Sequence, residues 1–141
     1  MVTIAQLSPD AWEQYKALRL EALQADPLAF GSSYEEEVNF SEETWRERIA
    51  NKWFATVNGE LVGLVGLNRH VALAGRHKAL VVAMWVKPAF RGQGIAKKLL
   101  QHAQREAVAD GICKLLLDVT ITQAAAIALY KSVGFRVVGL A

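Results

Sequence analysis

From Ala79 to Val86 the sequence reads ALVVAMWV, apolar at all eight positions, and Pro88 follows almost at once. An apolar run of that length, cut off by proline, predicts a central strand buried on both faces. A loop holding Arg91, Gly92, Gln93 and Gly94 comes next. Beyond it Ile95, Leu99, His102 or Ala103 and Ala107 recur at helical spacing, and Asp110-Gly111 closes the run. A buried strand that feeds a glycine loop and then a helix belongs to a layered fold of sheet and helix.

The flanking segments extend that reading. Val2–Leu7 alternates as a short strand, and Ser8 or Asp10 caps a helix on which Trp12, Tyr15, Leu18 or Arg19, Ala22 and Leu23 share a stripe. Asp26-Pro27 ends that helix, because a residue before proline is pushed out of the helical region. Residues 28–40 read as a loop or broken helix, and Ser41 caps a second helix over Glu42–Ala50. Trp53–Val57 and Leu61–Leu67 flank Asn58-Gly59, the pair favoured in a type I′ hairpin turn. Lys114–Val119 reads as a strand, Ala124–Val133 as a helix ended by Gly134, and Phe135–Leu140 as a last strand. The expected order is β-α-α-β-β-β-α-β-α-β, an α/β chain with a mixed sheet and helices on both faces.

Composition sets the outer limits. At 141 residues and 52% hydrophobic, residues 1–141 are expected to form a single domain with a real core. Cys113 is the only cysteine, which excludes an internal disulfide and a multi-thiolate zinc site, and no metal site is expected. No basic-then-apolar leader opens the sequence and no apolar run approaches the ~20 residues of a membrane span. The expectation is a cytoplasmic protein with neither membrane nor nucleic acid as partner, since the net charge is only +2. That total hides an asymmetry: residues 1–70 carry 6 basic and 11 acidic side chains, and residues 71–141 carry 10 and 3. The basic half suits an anionic ligand, and the acidic half leans towards a small cationic amine.

The loop after Val86 carries the chemistry. Glycines let a backbone turn tightly and bring N–H groups close to a ligand. The free N–H groups of the next helix's first turn point the same way, and Arg91, Lys97 and Lys98 add charge. Such a site suits a phosphate or pyrophosphate; an ordinary strand–helix turn is the plainer alternative. A P-loop is disfavoured by the spacing of Gly92 and Gly94 and by the lack of Ser or Thr after the lysines. A dinucleotide turn is disfavoured, because Lys97 stands where its third glycine or alanine belongs.

The segment Val86–Ala96, VKPAFRGQGIA, resembles the acetyl-CoA-binding motif of the GCN5-related N-acetyltransferase (GNAT) superfamily, with Arg91, Gly94 and Ala96 meeting [QR]-x-x-G-x-[GA]. The run Ala126–Phe135, AIALYKSVGF, is similar to the family's second signature. Leu18–Leu23, Pro27–Gly31 and Arg76–Lys78 look like a common bacterial branch of it. The resemblance implies a GNAT-like fold and an acetyl-CoA-dependent N-acetyltransferase. The acetyl group would pass directly to a primary amine on a small molecule or a protein N-terminus, in a ternary complex. It implies that the backbone of Trp85 and Val86 pairs with the pantetheine arm and that the N–H groups of Arg91, Gly92, Gln93, Gly94, Ile95 and Ala96 hold the pyrophosphate. A backbone N–H near Val86 would stabilise the oxyanion. Tyr130 would protonate the leaving thiolate, and Tyr130, Val119 and Gln123 would touch the cofactor. Gln123 stands where the family often has Asn. The family's usual further C-terminal strand is not visible before Ala141, so an edge completed by a second copy, a homodimer, is one expectation. The alternative is a non-catalytic acyl-CoA-binding or regulatory module of the same fold.

The general base is the least defined role. The central run has no carboxylate, which leaves His77 and the segment Glu35, Glu36 and Glu37. Glu35 and Glu37, with Phe30, Tyr34 and Phe40, are candidates for the acceptor side, against the plainer readings of a solvated acidic helix start and core packing. His70 and His102 are lesser candidates, His102 lying within a helix with no visible partner, and Cys113 reads as a small buried hydrophobe. Trp12, Trp45 and Trp53 read as core.

Overall fold

The computed structural model describes residues 1–27, 30, 32–69, 78–112, 114–117 and 124–135. Strand β1 (Val2–Ala5) leads into helix α1 (Trp12–Ala25) through a short 3-10 turn that Ser8 caps by accepting the Asp10 N–H. Helix α2 is a single turn, Tyr34–Glu37, and α3 covers Glu42–Arg48. Ser33 and Ser41 cap these two helices through Glu36 N–H and Thr44 N–H. The expected second helix is shorter than its sequence pattern, since Ile49–Asn51 tightens into a 3-10 turn before strand β2 (Lys52–Val57). Strand β3 (Glu60–Asn68) returns through Asn58-Gly59, whose φ values of 50° and 82° are those of the expected type I′ turn. Strand β4 (Lys78–Val86), helix α4 (Ile95–Ala109), strand β5 (Lys114–Leu117) and helix α5 (Ala124–Ser132) complete the described elements. The last strand expected, Phe135–Leu140, lies outside the described residues beyond Phe135 itself.

The sheet runs in the order β1-β2-β3-β4-β5, antiparallel except for the parallel β4–β5 pair. It is mixed and covered on both faces, as expected. One core joins Tyr15, Leu18 and Ala22 of α1 and Trp45 of α3 to Phe54, Leu64 and Trp85 of the sheet. The other joins Ile95, Leu99 and Ala103 of α4 to Trp53, Val65, Val81 and Val86, with Leu129 and Tyr130 of α5 packed against it. Trp45 and Trp53 are core, and Trp12 is only partly buried.

Two irregularities shape β4. Its register against β3 passes from Leu64↔Trp85 to Gly66↔Val82, so β4 has one residue more than β3 across this stretch, a β-bulge. Ala83 sits in the bulge at φ +58°, a left-handed conformation that costs a residue with a Cβ. The expectation of burial on both faces is therefore too strong: Leu80, Val82, Ala83 and Met84 are half-buried, and β3 is the more enclosed strand. Described pairing to β5 ends at Val81↔Leu117. The β5-side edge of Val82–Val86 has no described strand partner.

Candidate active site

The loop that leaves β4 is built by its sequence. Pro88–Phe90 forms a 3-10 turn with Pro88 at its start, and Arg91 returns to extended backbone. Gly92 and Gly94 then take φ values of +80° and +79°. A Cβ at either position would meet nothing within 4 Å, so backbone conformation rather than space requires glycine there. Gly94 is also the N-cap of α4 and brings no side chain to accept its N–H groups, unlike Ser33 and Ser41. Helical bonding starts with Lys98 N–H to the Gly94 carbonyl, which leaves the N–H groups of Ile95, Ala96 and Lys97 outside the ladder. No acidic residue lies in that first turn, and Lys97 and Lys98 are exposed beside it. The arrangement fits a diphosphate: N–H groups converge, the helix dipole favours negative charge, and nothing in the turn repels it. Ile95 is buried and anchors the turn, and Gln93 is exposed.

Arg91 has a different job from the free cation its sequence position suggests. Its Nη2 donates to Asp26 Oδ2 at 2.7 Å and its Nε donates to the Val86 carbonyl at 2.9 Å. Trp85 Nε1 donates to the same Asp26 oxygen at 2.7 Å. The Trp85 bond, aided by Arg91, holds the Asp26 carboxyl below the usual carboxylate range against the opposing effect of burial. Asp26 thus ties the end of α1 to the last residues of β4 and to the loop. Asp26 was visible in the sequence only as a helix terminator; its bonds span 59 and 65 residues and no local pattern signals them.

Tyr130 lies on α5, half-buried, with its ring edge-on to Phe135 at 6.2 Å between centroids. The Phe135 N–H and the Val133 N–H both donate to the Tyr130 carbonyl, and Gln104 of α4 donates to the Val133 carbonyl. These bonds fasten the end of α5 to α4, the helix that begins at the glycine loop. Burial raises the Tyr130 phenol above its ordinary value, so it keeps its proton at neutral pH. Among the described residues nothing hydrogen-bonds its hydroxyl.

On the opposite face Glu37 accepts from Arg19 at both oxygens, Nε at 2.9 Å and Nη2 at 2.8 Å. Burial alone would raise Glu37, but the Arg19 bonds outweigh it and hold the carboxyl low. Glu37 is therefore a neutralised carboxylate inside the protein rather than one presented to solvent. Glu35 and Glu36 are exposed, and Tyr34 and Phe30 are half-buried, with Phe30 beneath the Arg19 guanidinium at 4.6 Å. His102 is within 3.5 Å of Glu106 one turn on, a helix-surface pair. His70, His77, Cys113, Val119 and Gln123 lie outside the described residues.

Residues 11–135 match the family model described as Acetyltransferase (GNAT) family. The chain belongs to the GNAT family of acetyltransferases. Human N-acetylaspartate synthetase is 34% identical over 87 residues, which cover 62% of this chain and 28% of that protein. The rat N-acetyltransferase family 8 member 3 is 27% identical over 141 residues, 99% of this chain and 56% of that protein. The chain thus spans only part of the length of the curated relatives it matches. Among solved structures, a GNAT-family acetyltransferase from Streptococcus pneumoniae superposes with a TM-score of 0.83 at 22% identity, covering 99% of this chain and 86% of the other. The glycine loop, the bulged β4 and α5 all fall inside the segment matched to the GNAT family. Among the described residues no group of three or more metal-ligating side chains exists, and no helix is long and apolar enough to cross a membrane.

Proposed function

We propose that this GNAT chain transfers the acetyl group of acetyl-CoA to a primary amine within a ternary complex. The observation that carries the reading is the glycine loop, whose left-handed Gly92 and Gly94 open the first turn of α4 to a diphosphate at the end of a bulged strand. The β5-side edge of Trp85 and Val86 supplies backbone groups for the pantetheine arm, in the manner of an added strand. Arg91 contributes its backbone N–H, and its side chain braces the loop through Asp26 and Val86.

The amine attacks the thioester carbonyl as its neutral form, a C–N bond forms, and the C–S bond then breaks. A backbone N–H of β4 near Val86, beside the stretch the bulge takes out of register, stabilises the oxyanion. Tyr130 donates its proton to the departing thiolate, which burial equips it to do by keeping it protonated. His77 and Gln123 are the proposed base and a further cofactor contact.

Isothermal titration with acetyl-CoA, followed by thiol release across a panel of primary amines, tests the proposal. Saturable binding with turnover of at least one amine supports it. Binding without thiol release from any amine favours a non-catalytic acyl-CoA-binding module, and no binding at all removes the assignment.

A further inference from the structure

Beneath the α1–α3 side of the sheet a cavity of about 310 Å³ is lined by Glu47, Arg48, Asn51, Lys52, Asn68 and Val82. Its lining sets Arg48 and Lys52 against Glu47. Arg48 has no ion pair among the described residues; its guanidinium lies over the Phe40 ring at 5.0 Å and beside the Tyr15 hydroxyl. Lys52 is buried, its Nζ donating to the Arg48 carbonyl at 3.1 Å and to Asn51 Oδ1 at 2.6 Å, 5.7 Å from the Tyr15 ring centre. Arg19 adds a third cation. Among the described residues the only buried carboxylate is Glu37, and both its oxygens are already taken by Arg19. Glu47 stands exposed at the cavity rim.

Behind the cavity wall, the Arg19 Nη1 has no hydrogen-bond partner among the described residues and the Tyr15 hydroxyl lies against the Arg48 guanidinium; neither residue lines the cavity. The fold also makes room for the lysine. A Cβ on Gly66 would stand 2.8 Å from Lys52 Cδ and 3.0 Å from Val82 Cγ2, so glycine at 66 lets the Lys52 stem lie along the sheet. A buried cluster with more positive than negative charge is stabilised by an anion.

Val82, in the cavity wall, immediately precedes the bulge residue Ala83, and Met84 is within about 7 Å along the strand. A small group seated against Arg48 and Lys52 would hold its other end near the bulge, where the proposed acetyl transfer occurs. We propose that this cavity is the carboxylate subsite of the acceptor, and that the acceptor is an amino acid whose carboxylate is held by Arg48 and Lys52 while its amine points to the bulge of β4. The assignment of acceptor rests on the acetyltransferase reading above; the anion site itself does not.

The test titrates the twenty N-acetyl amino acids and their matching carboxamides into the full chain, with inorganic phosphate as a separate arm. At least one acid should bind about tenfold or more tightly than its carboxamide. Arg48→Gln should erase that preference while the variant still melts cooperatively, and Lys52→Met should weaken it. No acid preferred over its amide together with no saturable phosphate binding, or a preference unchanged in Arg48→Gln, overturns the anion site. Saturable phosphate binding that Arg48→Gln removes, with no acid preferred, overturns the acceptor assignment. Failure of every amine to release thiol would count against the acetyltransferase reading alone, because the titration needs no turnover.

Discussion

Arg91 and Asp26 meet at 2.7 Å across 65 residues of sequence, and Trp85 donates to the same carboxylate oxygen. The pair joins the end of α1 to the loop that precedes α4. Both side chains are partly solvated, at 45% and 35% exposure, so the bond contributes little to global stability. Its effect falls on loop geometry. Asp26→Ala should weaken acetyl-CoA binding several-fold, about 1 kcal/mol, with a smaller change in melting temperature. Arg91→Ala should do the same, and the double variant should be no worse than the poorer single one. Additive losses by calorimetry would show that the two act separately. Because Asp26 is held low, the brace is intact at neutral pH and weakens only as pH falls through its depressed value.

Gly94 takes φ +79° with open space beside it, so Gly94→Ala introduces strain without a clash. The expected cost is about 1 kcal/mol of stability, read from urea denaturation. If the first turn of α4 holds the diphosphate, acetyl-CoA affinity should fall by more than the stability change explains. Equal affinity in the variant would remove the loop from the binding site.

Much of this arrangement is legible locally. The Asn58-Gly59 turn, the serine caps and the α4 stripe each follow from a few adjacent residues, and the structure reproduces them. The glycine loop is legible for the same reason, since positive φ is a property of the residue itself. What depends on distant partners is hidden. Asp26 looks like a helix stop, and nothing around Ala83 announces a bulge, because a bulge is a mismatch between two strands. Charge counted along the chain carries no information on burial. The first 70 residues are net acidic, yet the buried charged groups among them are Arg19, Lys52 and a Glu37 already paired. Counting charge along the chain does not reveal which side chains solvent screens.

Tyr130 offers the cleanest separation of chemistry from binding. Tyr130→Phe keeps the ring against Phe135 and removes only a hydroxyl with no partner among the described residues. Turnover should fall by roughly 10²-fold if the phenol is the acid, with acetyl-CoA affinity little changed. Stability should hold or rise slightly, since a half-buried hydroxyl is lost. Unchanged turnover would exclude the acid role.

Ala83 tests the bulge. At φ +58° it occupies a conformation that glycine enters freely and β-branched residues resist. Ala83→Gly should be neutral or stabilising by up to about 1 kcal/mol, and Ala83→Val should destabilise by more than that. The order of midpoints in urea should be Gly, Ala, Val. Val at or above Ala would mean that the strand relaxes to regular register at no cost.

Lys52 gives the protein a pH signature at the opposite face. Burial, with Arg48 and Arg19 nearby, brings its ammonium from 10.5 down to about 7, and Glu37 only partly opposes this. Above about 7 the unfolded chain still binds a proton there that the native chain has released. The unfolded state then holds more protons, so unfolding free energy rises with pH. Below about 7 both states are protonated and the penalty of a buried charge is fully present. Stability should therefore climb between about pH 7 and 9.5, short of the range where tyrosines ionise. Lys52→Met keeps the length of the stem along Gly66 and removes the titrating group. Its unfolding free energy should lose that climb and exceed the parent's most at the acid end of the window. Parallel profiles for the two proteins would place the lysine's proton affinity at its ordinary value.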